Sequence, residues 1–184
     1  MWLRVSFAAE VAGVRCQMKI DIGFSDEIYP HAMEMEYPAT LPDMPAARLQ
    51  CYSAESVVAE KWQAMVQLKE MNSRMKDIYD LWFLSRTRSF AYPVLKEAVA
   101  RTFARRGTDP ATYLHLTTPE YIAAQQPEWA AYVRKLKAAS YRRKDAVSIP
   151  SRDLAEVMVE IFGWLEPLMQ DKPHHTWKPG TGWK

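Results

Sequence analysis

The stretch from residue 52 to residue 84 constrains the fold most, because it predicts two adjacent helices that carry charges on apolar faces. Hydrophobic residues recur at helical spacing in its first half, and Ser53 can cap the start of that helix. These residues are Val57, Val58, Trp62, Met65 and Val66. Asn72 and Ser73 favour a break. A second helix is therefore predicted from about Arg74 to Arg86.

The second predicted helix is hydrophobic on nearly all sides, which indicates that it is largely buried. Its hydrophobic residues are Ile78, Tyr79, Leu81, Trp82, Phe83 and Leu84. Asp77 and Asp80 nevertheless lie three residues apart on one side of it. Desolvation of a carboxylate near a hydrophobic core destabilises the fold by several kcal/mol unless the carboxylate is paired or binds a metal. Lys61 in the preceding helix is the obvious partner, and Lys76 can pair with Asp80 on the surface.

Two interpretations of this charged group stay open on the residues alone. Lys61, Asp77 and Asp80 could form a structural ion pair that locks a helical hairpin, or they could meet in a functional cleft. Removing the lysine side chain would distinguish them. If Lys61 is functional, we expect Lys61→Ala to abolish ligand binding with little loss of stability, whereas a structural ion pair predicts a large fall in melting temperature with unchanged binding.

The first 50 residues predict a β-hairpin and a connector. Hydrophobic and other residues alternate from Trp2 to Ala12, and Ala12 with Gly13 supplies a turn. In the next strand Lys19 and Asp21 share the face opposite the apolar one. Prolines make the connector of residues 23–52 irregular, apart from a short edge strand in which Glu34 and Glu36 alternate with methionines. His31 is expected on the surface.

Helical periodicity dominates the rest of the chain. The pattern predicts a helix that ends near Gly107, two short helices over 119–124 and 127–139, and a last helix from a Ser151 cap to Pro167. We expect an α+β fold, in which an N-terminal β-hairpin or partial sheet precedes a mostly helical body. The predicted division is a partial sheet with its connector (1–50), a helical domain (51–170) and a flexible tail (171–184).

Charge is divided unevenly along the chain. Residues 1–60 hold 4 Lys and Arg against 9 Asp and Glu, whereas residues 61–184 hold 20 against 13. The basic excess peaks in VRKLKAASYRRK, residues 133–144. Such a patch can hold a phosphate backbone, and a solvated helix face is the simpler explanation.

Other sequence signals narrow the class of protein. Cys16 and Cys51 are expected to be free thiols. Arg4 and Glu10 interrupt the N-terminal apolar run, so we predict neither a signal peptide nor a membrane span, and we expect a cytoplasmic protein. The sequence contains no internal repeat, zinc-type spacing or phosphate-binding glycine loop.

The run AEKWQAMVQLKEMNSRMKDIYDLWFL, residues 59–84, resembles the AbiEii/AbiGii-type nucleotidyltransferase toxins of type IV toxin–antitoxin systems. That family has an AEK-containing helix followed by an S-R-x-K-D-x-Y-D-L helix. The resemblance extends upstream through MKIDIGFSDEIYP and YPATLPDMPAARLQCYSAES, and downstream through LKEAVARTFARRGT. It covers roughly residues 1 to 170 and is most specific over 52–84.

The resemblance implies a nucleotidyltransferase-like fold and a role in bacterial abortive infection. It implies Mg2+-dependent transfer of a nucleotide from an NTP to an RNA acceptor such as tRNA, with a cognate antitoxin as protein partner. The implied catalytic residues are Lys61, Asp77 and Asp80. Lys61, Arg74 and Lys76 would bind the nucleotide. Asp21 would face the active site as a metal ligand.

The family's first motif, a Gly-Ser followed by D-x-D, has no match in this sequence. Because Met1 stands inside what looks like a mid-domain strand, we expect a family member that lacks about its first third and is inactive alone. The alternative is a catalytically dead helical module that binds nucleotide, RNA or a protein partner. An incomplete sheet exposes a strand edge, so a homodimer through that edge is a further prediction.

Overall fold

The computed structural model describes residues 2–24, 27–39, 43–68, 74–143, 148–170 and 174–184. Antiparallel strand pairs come first and a mostly helical body follows, so the predicted α+β class is confirmed. The strands are β1 (Trp2–Val11), β2 (Val14–Gly23), β3 (Met33–Tyr37), β4 (Ala47–Cys51), β5 (Phe90–Ala91), β6 (Thr176–Lys178) and β7 (Gly182–Trp183). The α-helices are α1 (Ala54–Leu68), α2 (Met75–Thr87), α3 (Tyr92–Arg105), α4 (Pro119–Arg143) and α5 (Leu154–Met169).

Strands β1 and β2 form the predicted hairpin. Ala12 and Gly13 have φ angles of 50° and 78°, the left-handed conformation that a two-residue hairpin turn requires. Leu3 pairs with Ile22, and Phe7 pairs with Met18, so apolar side chains meet on one face of the hairpin. The exposed fractions of Leu3 and Phe7 are 50% and 42%. This apolar face is therefore largely open to solvent.

The connector contains a second hairpin, of which the sequence predicted only half. β3 is the expected strand around Glu34 and Glu36, and it pairs with β4, which was not predicted. β4 is only five residues long, so it has little room to show alternation. His31 is exposed, and both Cys16 and Cys51 are free thiols, as the sequence predicted.

The start of α1 is fixed by Ser53. The Ser56 backbone N–H donates to Ser53 Oγ at 3.1 Å, which confirms the predicted cap. The hydroxyls of Ser53 and Ser56 also lie 2.8 and 2.9 Å from the Tyr29 carbonyl oxygen, to which they can donate. These contacts anchor the connector to the helical body. The turn predicted at Asn72 and Ser73 lies outside the described residues.

The core lies between the helices and is rich in aromatic rings. All five α-helices contribute fully buried side chains, and so does a 3-10 helix at Pro110–Thr117 that the sequence did not predict. The largest of these side chains include Trp62, Ile78, Leu95, Leu116, Trp129 and Trp164. Among the described residues, no helix is both long and apolar enough to cross a membrane.

Helix α4 is one continuous helix, so the prediction of two short helices over 119–124 and 127–139 is wrong. Pro127 removes a backbone donor and can break a helix, at a cost of about 3 kcal/mol. It lies on the exposed side of α4, while the inward face continues past it. Buried residues recur on that face every four positions, at Tyr121, Gln125, Trp129 and Val133. Packing of this face outweighs the cost of the proline.

The caps of α5 differ from the sequence prediction. Asp153, not Ser151, caps the helix, because the Asp153 carboxylate accepts the Ala155 N–H at 2.9 Å. Ser151 Oγ instead accepts the N–H of Asp153 at 3.1 Å, and this bond lies in the segment before the helix. The helix also continues two residues beyond Pro167. The apolar stripe that predicted α5 is buried as expected.

The C-terminal residues 174–184 form strands β6 and β7, which extend β5 into a three-stranded sheet. The sequence predicts a flexible tail over 171–184, because this segment contains Pro and Gly and shows no periodicity. Strands of three and two residues are too short to produce a periodic pattern, so the sequence did not indicate them. Two indole rings hold this segment in place. Trp177 Nε1–H donates to the Ser85 carbonyl at 2.7 Å, and Trp183 Nε1–H donates to the Trp164 carbonyl at 2.8 Å.

We expect Trp177→Ala to lower the free energy of unfolding by about 2–4 kcal/mol, because it removes a packed ring and an indole hydrogen bond. Urea unfolding followed by circular dichroism measures this loss. Tyr141→Ala is the matched control, since the Tyr141 side chain is 88% exposed. Equal stability of the two variants would mean that Trp177 and its contacts in the C-terminal sheet do not stabilise the fold.

Candidate functional site

Helices α1 and α2 bring Lys61, Asp77 and Asp80 together, as the sequence predicted. Lys61 Nζ lies 2.7 Å from Asp77 Oδ1 and 2.7 Å from Asp80 Oδ2. The two aspartates share one face of α2 because they are three residues apart. The side chains of Lys61, Asp77 and Asp80 are only 19%, 14% and 23% exposed. The ammonium group therefore bridges two carboxylates that are largely shielded from solvent.

Electrostatics keep Lys61 charged. Burial alone would lower the pKa of Lys61, but its hydrogen bonds and charge interactions with Asp77 and Asp80 outweigh burial and raise it. Lys61 is therefore protonated throughout the physiological pH range. Lys76, which is 75% exposed, lies 3.6 Å from Asp80 Oδ2, so the predicted surface pair is confirmed.

Two clefts adjoin at Asp77. One, of about 300 Å³, is lined by Lys61, Arg74 and Asp77 together with Glu60 and Arg106. The other, of about 460 Å³, is lined by Arg74 and Asp77 and, further out, by Lys76, Glu128, Tyr132 and Lys135. Among the described residues, the two linings contain five cationic side chains against three acidic ones. The structure therefore brings the three predicted nucleotide-binding residues, Lys61, Arg74 and Lys76, around Asp77.

The sequence interpretation missed Arg106 in the first cleft. Arg106 follows α3, donates to the Gln63 side-chain oxygen at 2.8 Å and lies 3.8 Å from Glu60 Oε1. The signal was present in the Arg105-Arg106 pair of LKEAVARTFARRGT, but nothing in the sequence shows that α3 packs beside α1. Proximity of these helices brings the guanidinium group to the cleft.

Tyr132 is a second residue that the sequence did not single out. It lines the second cleft from α4. Burial raises the pKa of Tyr132 to about 12, with smaller contributions from charge interactions with Asp80 and Tyr79. Its hydroxyl therefore stays protonated at neutral pH and can donate a hydrogen bond.

Asp21 has a different partner. Its two carboxylate oxygens lie 2.6 and 2.9 Å from the Arg4 guanidinium group, across the β1–β2 hairpin. This hydrogen bonding lowers the pKa of Asp21, which is 57% exposed. As far as the described residues go, the ion pairs of Asp21 and Lys61 share no residue. The structure thus explains Asp21 as one half of a surface pair, and its role as a metal ligand stays a prediction.

The described residues do not fit a Mg2+ site by themselves. Among them, no three His, Cys, Asp or Glu side chains form a group that could hold a metal ion. Asp77 and Asp80 both bind Lys61, whose ammonium group competes with a metal cation for their oxygens. We therefore assign no chemical step to a metal held by these residues.

We expect Lys61→Met to lower the free energy of unfolding by about 1–3 kcal/mol, because it leaves two carboxylates close together without their cation. This revises the sequence-based expectation of little stability loss. Urea unfolding at pH 7 measures the effect, with the exposed Lys137→Met in α4 as matched control. Equal stability of the two variants would show that the ion pair does not support the fold.

The stabilisation by Lys61 should also depend on pH. A lysine whose pKa is raised by folding stabilises the protein fully below the unfolded-state pKa of about 10.4, and this contribution is lost as pH rises through the higher folded-state value. The stability difference between wild type and Lys61→Met should therefore be constant from about pH 7 to 9 and shrink above about pH 10.5. Unfolding of both proteins across this range measures it. A difference that already shrinks below pH 9 would contradict the raised pKa.

Comparison with protein families matches residues 3–148 to the family described as nucleotidyl transferase AbiEii toxin, type IV TA system. The match contains Lys61, Asp77, Asp80 and both clefts. A comparison with curated proteins gave no match, and a comparison with solved structures gave none either. Membership implies a nucleotide substrate and an antitoxin partner. Because the matched residues make up most of the chain, this protein belongs to the AbiEii nucleotidyltransferase toxin family of type IV toxin–antitoxin systems.

Proposed function

We propose that the two clefts at Asp77 bind an NTP, and that the chain takes part in transferring its nucleotide to an RNA acceptor such as tRNA. The supporting observation is Lys61, which bridges Asp77 and Asp80 in a cleft that Arg74 and Arg106 also line. A triphosphate needs cations, and the acceptor hydroxyl needs a carboxylate to orient it. This cleft places both kinds of group beside each other.

Lys61 is proposed to contact the triphosphate. Its ammonium group has three donors, of which Asp77 and Asp80 accept two. The third donor can bind a phosphate oxygen. Arg74 and Arg106 add guanidinium groups, whose planar donors suit phosphate oxygens, and Lys76 adds a further charge at the outer cleft.

Asp77 is proposed to orient the acceptor hydroxyl, with Asp80 in support. In nucleotidyl transfer this hydroxyl attacks the α-phosphorus, the bond to the β-phosphate breaks and pyrophosphate leaves. Asp77 can accept the hydroxyl proton, while Lys61 holds the carboxylate in position. Residues 1–184 contain no D-x-D, so the metal-binding pair that this chemistry needs is not among them. We therefore propose that the chain alone binds nucleotide without transferring it.

The acceptor RNA is proposed to lie along α4. Arg134, Lys135 and Lys137 are exposed on this helix, and Lys135 also lines the second cleft. A basic surface that continues from the cleft can follow a phosphate backbone. Of the predicted patch over residues 133–144, the side chains of the last three lie outside the described part of the chain.

Protein partners are proposed at the N-terminal hairpin. Within the described residues, β1 and β2 pair only with each other, so each strand leaves an outer edge for a further strand. A homodimer through such an edge remains the prediction from the sequence. The same edge is open to the antitoxin that family membership implies.

A second candidate function is binding without turnover. The described residues form no three-ligand metal group, and the chain has no D-x-D, which favours a catalytically inactive module for nucleotide, RNA or protein. The two candidates share the cleft and differ in chemistry. Incubation with labelled NTP, Mg2+ and tRNA separates them when it is done with and without an added N-terminal segment of a family member that carries Gly-Ser and D-x-D. Only a chain that takes part in transfer leaves label on the RNA when that segment is present.

Calorimetric titration with each NTP, with and without Mg2+, tests the proposed cleft. We expect saturable binding by the wild type and at least about tenfold weaker binding by Lys61→Met and by Arg74→Gln, because each removes a phosphate contact. Arg88→Gln is the matched control, since Arg88 is an exposed arginine just after α2 and outside both clefts.

Two outcomes would contradict this proposal. The first is an absence of binding at millimolar NTP, which would leave the Lys61 group with a structural role. The second is wild-type affinity in both Lys61→Met and Arg74→Gln, which would place the nucleotide elsewhere on the protein.

A further inference from the structure

A cavity of about 770 Å³ lies apart from the clefts at Asp77 and is larger than either of them. The end of α2, one side of α5 and the C-terminal strands line it. Within the described part of the chain, it shares no lining residue with the two clefts. The family match ends at residue 148, so α5 and the C-terminal strands lie outside the matched segment. Nothing in the proposed NTP site explains this cavity.

Two tryptophans form its aromatic walls at fixed orientations. Trp177 is held by its hydrogen bond to the Ser85 carbonyl, and Trp183 by its bond to the Trp164 carbonyl. The centroids of the Trp177 and Trp183 rings are 5.6 Å apart, and their planes meet at 68°. A planar ring that stacks on one indole can present its edge to the other, which are the two favoured aromatic geometries.

Gly163 keeps one side of the cavity open. It lies inside α5, where glycine is about 1 kcal/mol less favourable than alanine. A Cβ added at Gly163 would meet no atom within 4 Å, so packing within the described chain does not require the glycine. A larger side chain at this position would instead occupy the space that the cavity provides.

Besides Ser85 and His174, the polar residues of the described lining form an ion pair. Arg86 of α2 and Glu160 of α5 both line the cavity, and their side chains meet at 2.7 Å. The guanidinium group supplies donors and the carboxylate supplies acceptors beside the aromatic walls. Because the two charges balance, the lining favours a polar ligand without net charge over an anion.

We propose that this cavity binds an uncharged planar heteroaromatic ring, and that its ligand class is the nucleobase of a nucleoside. Its volume lies within the range of about 300–1,000 Å³ that small-molecule sites occupy. Stacking on Trp177 or Trp183 supplies affinity, and hydrogen bonds to Arg86 and Glu160 select a ring with polar edges. No phosphate is required, so this site is independent of the proposed NTP site.

Titration of the intact chain with adenosine, guanosine, cytidine and uridine tests the proposal. We expect saturable binding of at least one nucleoside by calorimetry. In nitrogen-15 NMR spectra, the indole N–H signals of Trp177 and Trp183 should shift more than those of the other five tryptophans.

The matched variants are Gly163→Leu and Gly163→Ala. The leucine side chain extends into the cavity and should weaken nucleoside binding at least about tenfold, whereas the single methyl of alanine should change it less than about threefold. Both residues favour a helix more than glycine does, so the fold should be retained, and circular dichroism checks this. Lys61→Met should keep wild-type affinity for the nucleoside, which separates this site from the NTP cleft.

Three results would overturn the proposal. One is the absence of saturable binding up to about 10 mM nucleoside, a concentration that detects even very weak complexes. Another is wild-type affinity in a folded Gly163→Leu variant. The third is equal binding of cyclohexylmethanol, a non-planar apolar probe, which would show a general hydrophobic pocket without preference for a flat heteroaromatic ring.

Discussion

The contact of Lys61 with Asp77 and Asp80 sets the geometry on which the rest of the site depends. Three charges inside an apolar pair of helices are tolerable only if they meet, because each would otherwise keep an uncompensated cost of desolvation. Their meeting fixes the rotation of α2 about its own axis. With that rotation fixed, Ile78 and Leu81 are fully buried, while Arg74 and Lys76 lie at the clefts.

The sequence predicts such contacts well when residues of one helical hairpin determine them. Periodicity gave α1 and α2, and the placement of charges on their apolar faces gave the ion pair, because both depend on residues close in the chain. Prediction failed for elements whose bounds depend on tertiary packing. Pro127 does not end α4, because the packed residues on either side of it favour one continuous helix. β4 and the C-terminal strands are too short for any periodic signal.

The same distinction applies to the candidate functional residues. Lys61, Asp77 and Asp80 were found because buried charges are conspicuous in a sequence. Arg106 was missed because its place beside Gln63 depends on the packing of α3 against α1. The aromatic cavity combines Ser85 with Trp177, 92 residues later, so no local pattern could reveal it. In the sequence, the two terminal tryptophans looked like part of an unstructured tail.

The structural and functional interpretations of Lys61 are compatible. An ammonium group that two carboxylates already hold is pre-organised, so a bound phosphate would not have to immobilise a flexible lysine. The carboxylates also reduce the positive charge that the phosphate meets, which weakens attraction by Lys61 alone. Arg74 and Arg106 are therefore needed beside it, because their charges restore the attraction for a triphosphate. With Lys61 as its only cation the cleft would offer a structural ion pair, whereas the added charges of Arg74 and Arg106 support the proposed binding of a triphosphate.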